Sequence, residues 1–290
     1  MSWMSTFHNL IERLPDSKLR LRRKFLAFAE GVRYLFVKPD IQEKFFVVSC
    51  ERNAGGAAEK CLESVYSQRY ERHLVRHLFI DDASTDDTDH IVRSWLALHP
   101  DHNVDYRRLE MRQGGTANTL FGIKLAPDDA VVVELNGDDW LAGKNVLRFL
   151  NKVYSDKNVW MTYNTLRFYK GAPATWTHKV PRQVIENNCF REYEGWVTSA
   201  LHSFRKILFN HLDDDLFVDP ETGRFWESAD DVALYLAMLE LAGHHSRHLN
   251  RITYIYNYRE DSHFVKDSNG SKAREKRIRQ SKKYFPLEKL

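Results

Sequence analysis

The chain has 290 residues, 43% of them apolar and 29% charged, which suits a globular protein with a sizeable core and excludes a disordered, collagen-like or coiled-coil chain. Its formal charge of +3 is unevenly spread: residues 1–44 carry nine Lys+Arg against five Asp+Glu, and residues 271–290 carry eight against two, which leaves the middle net −7. An acidic body with basic ends is unlike a nucleic-acid groove, and no apolar run approaches the roughly 18–20 residues needed to cross a bilayer.

In chain order, residues 6–37 read as helical, broken near Pro15, with Leu10, Leu14, Leu19, Phe25, Phe28 and Val32 set among charges. The basic, aromatic stretch Lys18–Lys38 suits either a helix covering a domain edge or one lying on an anionic membrane surface. From Lys44 the pattern becomes α/β. Strands are expected at Phe45–Ser49, His77–Ile80, Asp105–Leu109 and Ala130–Leu135, alternating with helices at Ala57–Gln68, Asp86–His99 and Thr116–Leu125. This alternation implies a largely parallel sheet with right-handed crossovers. The second half is less regular. Val159–Phe168 reads as strand, Ser203–Leu212 as helix, Asp230–Ala242 as a helix with an apolar stripe ended by Gly243, and His248–Tyr258 as strand. The basic tail from Lys266 reads as mobile. Three cysteines without metal-ligand spacing (Cys50, Cys61, Cys189) and the lack of a compact apolar leader suggest reduced thiols in a cytoplasmic protein, with peripheral membrane contact open through the basic ends.

In a parallel sheet, ligands bind beyond the carboxyl ends of the strands. Here those ends are Ser49-Cys50-Glu51-Arg52-Asn53, Asp81-Asp82-Ala83-Ser84 and Asn136-Gly137-Asp138-Asp139. Asp86 and Asp87 suit a helix start, but two carboxylates at the strand end itself do not need one. Such a carboxylate can accept hydrogen bonds from a base or ribose. The carboxylates of the third end would repel unless a proton or cation intervened, and hard oxygen donors suit Mg2+ or Mn2+, which also bind diphosphate oxygens. Glu227-Ser228-Ala229-Asp230-Asp231 opens the late helix; its acids suit the helix dipole or a general base. His263 is open as a metal or phosphate ligand or a surface histidine. No dinucleotide-binding Gly-x-Gly-x-x-Gly, phosphate-binding Gly-Lys-Ser/Thr or Gly-x-Ser-x-Gly elbow occurs.

The order of these pieces resembles the family 2 glycosyltransferases, inverting nucleotide-sugar enzymes of the GT-A fold. The likeness is carried by Val47–Asn53, by Cys61–Gln68 followed by Tyr70, by Ile80-Asp81-Asp82-Ala83-Ser84-Thr85-Asp86-Asp87-Thr88, and by Gly114-Gly115-Thr116-Ala117-Asn118. It covers residues 45–145 well and 195–262 more loosely. The resemblance implies a single α/β domain with a Rossmann-like, mostly parallel sheet. It divides the chain into a helical extension (1–44), a nucleotide-sugar-binding half (45–150), an acceptor and catalytic-base half (151–265) and a basic tail (266–290). Ser49, Glu51, Asn53, Asp81, Asp82, Gly115, Asn118, Asn136 and Gly137 would then line the donor site. Asp138, with Asp139 and His263, would hold Mn2+ or Mg2+, and Asp231, with Asp230 as the fallback, would be the base. The donor would be a nucleotide-diphospho-sugar, UDP by default, and the acceptor a glycan, lipid-linked group or protein. Asn136 departs from the family, which has an acid there. This leaves open a degenerate binding or scaffold protein on the same fold.

Overall fold

The computed structural model describes residues 19–194, 198–259 and 268–290. The helix α1 (Leu19–Leu35) leads into an alternating half: β1 (Lys44–Glu51), α2 (Gly56–Tyr66), β2 (Val75–Asp81), α3 (Thr88–Leu98), β3 (Val104–Arg108), α4 (Gly115–Lys124) and β4 (Ala130–Glu134). The second half contains β5 (Trp140–Leu141), α5 (Val146–Tyr154), β6 (Met161–Asn164), β7 (Arg167–Phe168), α6 (Arg182–Glu186), β8 (Ser199–Arg205) and α7 (Lys206–Phe209). After a small hairpin, β9 (Val218–Asp219) and β10 (Arg224–Phe225), come α8 (Asp230–Ala242), β11 (Ser246–Leu249), β12 (Tyr254–Tyr256) and α9 (Ser268–Gln280).

Seven strands form the central sheet in the order β11-β6-β8-β4-β1-β2-β3. Every pairing is parallel except those of β8, which runs antiparallel to both β4 and β6. The strands read as near-continuous apolar runs because both faces are covered. Along β1, Phe45 and Val47 point into a core with α2, α3 and α5, while Phe46 and Val48 point into the other with α4 and α8. Helix α4 lies so close to the sheet that a Cβ on Gly122 would sit 2.5 Å from Val48 Cγ1.

Three expectations are corrected. The expected helix at Ser203–Leu212 shrinks to Lys206–Phe209: Ser203–Arg205 end a reversed strand that fills the sheet, with Ser203 buried between β4 and β6, its hydroxyl 2.7 Å from Thr162 Oγ1 and 3.0 Å from Tyr154 OH. Helix α8 has no solvent-facing side between Val232 and Ala242, because the sheet covers one face and α9 with the C-terminal segment covers another. The basic tail is not a loose appendage. Ile278 and Tyr284 are buried, and Leu287 N–H donates to Leu241 O. At its root Glu240 accepts two bonds from the buried Arg191 guanidinium, at 2.6 and 3.0 Å, and one from Tyr284 N–H.

Candidate active site

The carboxyl ends of β1, β2 and β4 lie side by side, and the register Glu51↔Asp81 brings their acidic turns level. The loops are braced across the gap: Asn53 N–H donates to Ser84 Oγ and Thr85 N–H donates back to Asn53 Oδ1, both at 2.9 Å. Asn53 thus serves the loops. Ser49, expected to line the pocket, lies beneath it, fully buried with its hydroxyl 2.9 Å from His77 Nε2. Asp81 is likewise a floor residue. Its oxygens accept from Ser84 N–H (2.8 Å) and Tyr106 OH (3.0 Å). Asp82 sits above it and receives Gln113 N–H (2.7 Å) and Gly114 N–H (2.9 Å), so it orients the turn that opens α4 at Gly115. One turn along, Asn118 Nδ2 is buried with no hydrogen-bond acceptor among the described residues.

The β4–β5 loop carries the charge. Gly137 is required there by packing, since a Cβ would lie 2.6 Å from Glu51 Cβ and 3.0 Å from Phe79 Cζ. That close approach sets the Asp138 carboxyl against Glu51, with a hydrogen bond between them, and the Arg259 guanidinium lies 3.4 Å from Asp138 Oδ2. Burial and the neighbouring Asp138 hold Glu51 well above the usual carboxylate range; burial also raises Asp138, against the pull of Arg259. Two acids pressed together need a shared proton or a cation between them.

Asp139 differs from its neighbour. It is 0% exposed, and its oxygens accept from Tyr254 OH, from Asn257 N–H at 2.6 Å and from Asn136 Nδ2 at 3.4 Å. Burial and the Asp138 charge push it up to about 7. This clamp fixes the loop to the small sheet β5-β12-β7. It also explains the departure at Asn136: an amide can donate to Asp139, where an ionised acid would repel it.

Helix α8 brings the remaining acids. Asp231 opens to solvent in the first turn. Even so, the surrounding protein and then the adjacent Asp230 push its carboxyl up to about 7. Tyr235, one turn on, donates to Glu134 at the end of β4 and stacks on His202, their ring centroids 3.5 Å apart. Burial raises Glu134 to about 7, and Asp230 and Asp231 reinforce it, so the late helix and the β4 end share one acidic region. Sequence reasoning passed over Glu134 and Arg259; the signal for the first was a lone carboxylate ending an otherwise apolar strand. Trp226 is core, with Nε1–H donating to Leu216 O. His263 lies outside the described residues. Among the described residues no three His, Cys, Asp or Glu side chains converge as a protein-only metal cage.

The model of the glycosyl transferase family 2 matches residues 46–212, more than half of the chain. The chain is a family 2 glycosyltransferase. Solved structures agree on the fold. TarS 1–349 of S. aureus in complex with UDP-GlcNAc superposes with a TM-score of 0.59 at 19% identity, over 76% of this chain and 60% of that one. The mannosyltransferase PcManGT from Pyrobaculum calidifontis, in complex with GDP-Man and Mn2+, gives 0.55 at 18% identity, over 90% and 71%. GalNAc-T7 with UDP, GalNAc and Mn2+ gives 0.55 at 15% identity, over 76% and 45%. No curated protein sequence matches the chain. The glycosyltransferase therefore has a GT-A α/β fold, and it spans 60% of the length of the TarS fragment.

Proposed function

We propose that this glycosyltransferase moves a sugar from a nucleotide-diphospho-sugar, UDP-linked by default, to a hydroxyl acceptor by a single inverting displacement. The observation that carries the reading is the Glu51–Asp138 carboxyl pair at the mouth of the parallel sheet, level with Asp82. Its donor set is the hard-oxygen type that binds Mg2+ or Mn2+ through one or two carboxylates and leaves positions for phosphate oxygens. Held by Asp138 beside Glu51, such a cation would supply the positive charge that stabilises a departing nucleoside diphosphate. Asp139, clamped from within, positions Asp138 and makes no direct contact with donor. The turn held by Asp82, with Gly115 and Asn118, offers polar groups to the nucleotide. Asp231 takes the acceptor's proton as the acceptor oxygen bonds to the anomeric carbon and the diphosphate oxygen leaves. Its elevated pKa is near that of an effective base at neutral pH.

The test is thermal stability against nucleotide diphosphates and nucleotide sugars, each with Mn2+, Mg2+ or chelator. A ligand at about a hundred times its Kd stabilises by about 2.7 kcal/mol. A metal-dependent shift with one nucleotide class is expected and would direct an acceptor screen. Stabilisation indifferent to metal would remove the metal role of Asp138. No response to any donor would replace transfer with the degenerate, scaffold reading.

A further inference from the structure

Helix α1 is docked by one face. Arg23 donates to the carbonyls of Ala174, Thr175 and Thr177, Leu26 is buried, Glu30 accepts Asn250 N–H (3.1 Å) and Arg251 N–H (2.8 Å), and Tyr34 packs edge-on to Phe149. Positions 23, 26, 30 and 34 form one line along a helix that turns about 100° per residue. Positions 21, 25, 28, 32 and 35 form the diametrically opposite line, and they are Leu, Phe, Phe, Val and Leu. Leu21, Phe28 and Leu35 on that line are 47%, 68% and 66% exposed. Phe36 and Ile41 continue the apolar surface beyond the helix end, so six of the sixteen exposed large apolar side chains among the described residues fall within residues 21–41. By helical position Arg22 and Arg33 flank the row on one side and Lys24 on the other, and Lys38 follows. The only acid of α1 is Glu30, which faces the body.

From this pattern we infer that α1 is an in-plane helix that seats the protein on an anionic lipid surface, its apolar row entering the headgroup boundary and its flanking cations meeting lipid charge. An apolar row edged by Lys and Arg is the pattern of such helices, and no described helix is long and apolar enough to cross a membrane. A second copy fits less well, because two such faces would bring the edges carrying Arg22, Lys24, Arg33 and Lys38 together, with Asp40 the one exposed acid of residues 21–41 to offset them. The basic C-terminus does not share the role: Arg274 and Arg277 of α9 are held by Glu227, Asp219 and Glu221 of the body. The inference is independent of the donor chemistry.

It is tested by floating the full chain with phosphatidylcholine vesicles prepared with and without phosphatidylglycerol. The chain should float with the anionic vesicles and be released by molar salt, which screens the lipid charge. Phe28→Gln with Leu35→Gln should lower partitioning at least about tenfold, and Lys24→Gln with Arg33→Gln roughly fivefold per cation removed. Parental melting temperatures for both variants separate a lost surface from a lost fold. Failure of the full chain to float with anionic vesicles, or equal flotation of the Phe28/Leu35 variant, would overturn the inference. So would a solution dimer that the Phe28/Leu35 variant loses while the parent does not float.

Discussion

Asp138 and Asp139 are adjacent in sequence but should fail in opposite ways. Asp139→Ala removes the acceptor for two enclosed donors, Tyr254 OH and Asn257 N–H, and for the exposed Asn136 amide. Each enclosed donor left unpaired costs about 1–3 kcal/mol, so the substitution should destabilise by about 3 kcal/mol, less whatever is regained by removing a buried charge. For a domain of this size that is roughly a 6–12 °C drop in Tm. Asp138→Ala instead removes one member of a repelling pair with Glu51 and should leave stability unchanged or slightly higher, while abolishing metal-dependent stabilisation by donor. Urea unfolding of both variants in chelator, followed by melting with Mn2+ and nucleotide, separates the two outcomes. Equal unfolding midpoints for Asp139→Ala and the parent would refute the clamp. A large loss in Asp138→Ala would show that the pair supports the fold.

Asp231→Asn should abolish transfer while leaving nucleotide-induced stabilisation intact, and the parental rate should rise with pH through about 7, as the base ionises, in initial-rate measurements. Stability should run the other way. Asp139 and Glu134 titrate near 7 when folded against about 4 unfolded, so the folded state holds their protons more tightly. Their contribution is complete below about pH 4 and is lost as pH rises through 7, so the urea midpoint in chelator should be lower at pH 8 than at pH 6. Gly137→Ala should weaken donor-induced stabilisation at least about tenfold, because the added Cβ meets Glu51 and Phe79 and pushes the loop away. Arg191→Met should cost about 3–5 kcal/mol by leaving Glu240 buried without its partner, and adding Glu240→Leu should restore most of it in the same unfolding assay.

The alternating half was legible because each strand is an apolar run followed by a polar turn, a pattern local enough to read without neighbours. The strand-end acids were legible for the same reason, since topology alone sends them to one edge. Their division of labour was not. Nothing in Asp81-Asp82 or Asp138-Asp139 tells which member points down into Tyr106 or Tyr254, because those tyrosines are distant in sequence and arrive through the sheet. Ser203–Arg205 was misread as helix because its strand character comes from being inserted between β4 and β6, a tertiary demand that overrides local pattern. The tail was misread as mobile because its charge count outweighed the few residues that dock it, Ile278 and Tyr284.

The seam between Glu240, Arg191 and residues 278–287 orders events during synthesis. Helix α8 rests on earlier chain at 206–217 and at Arg191, but it also packs against chain made some forty residues later, and Leu241 O waits for Leu287. The strands β1 to β4 have one face covered by α2, α3 and α5, all made before α8, while Phe46 and Val48 on the other face rest on α4 until α8 arrives. A nascent chain halted before residue 278 should therefore hold a formed nucleotide-side half while α8, with Asp230 and Asp231, remains open to protease. Cleavage within α8 of such halted chains, with β1–β4 spared, would reveal an enzyme whose acid-bearing helix matures last.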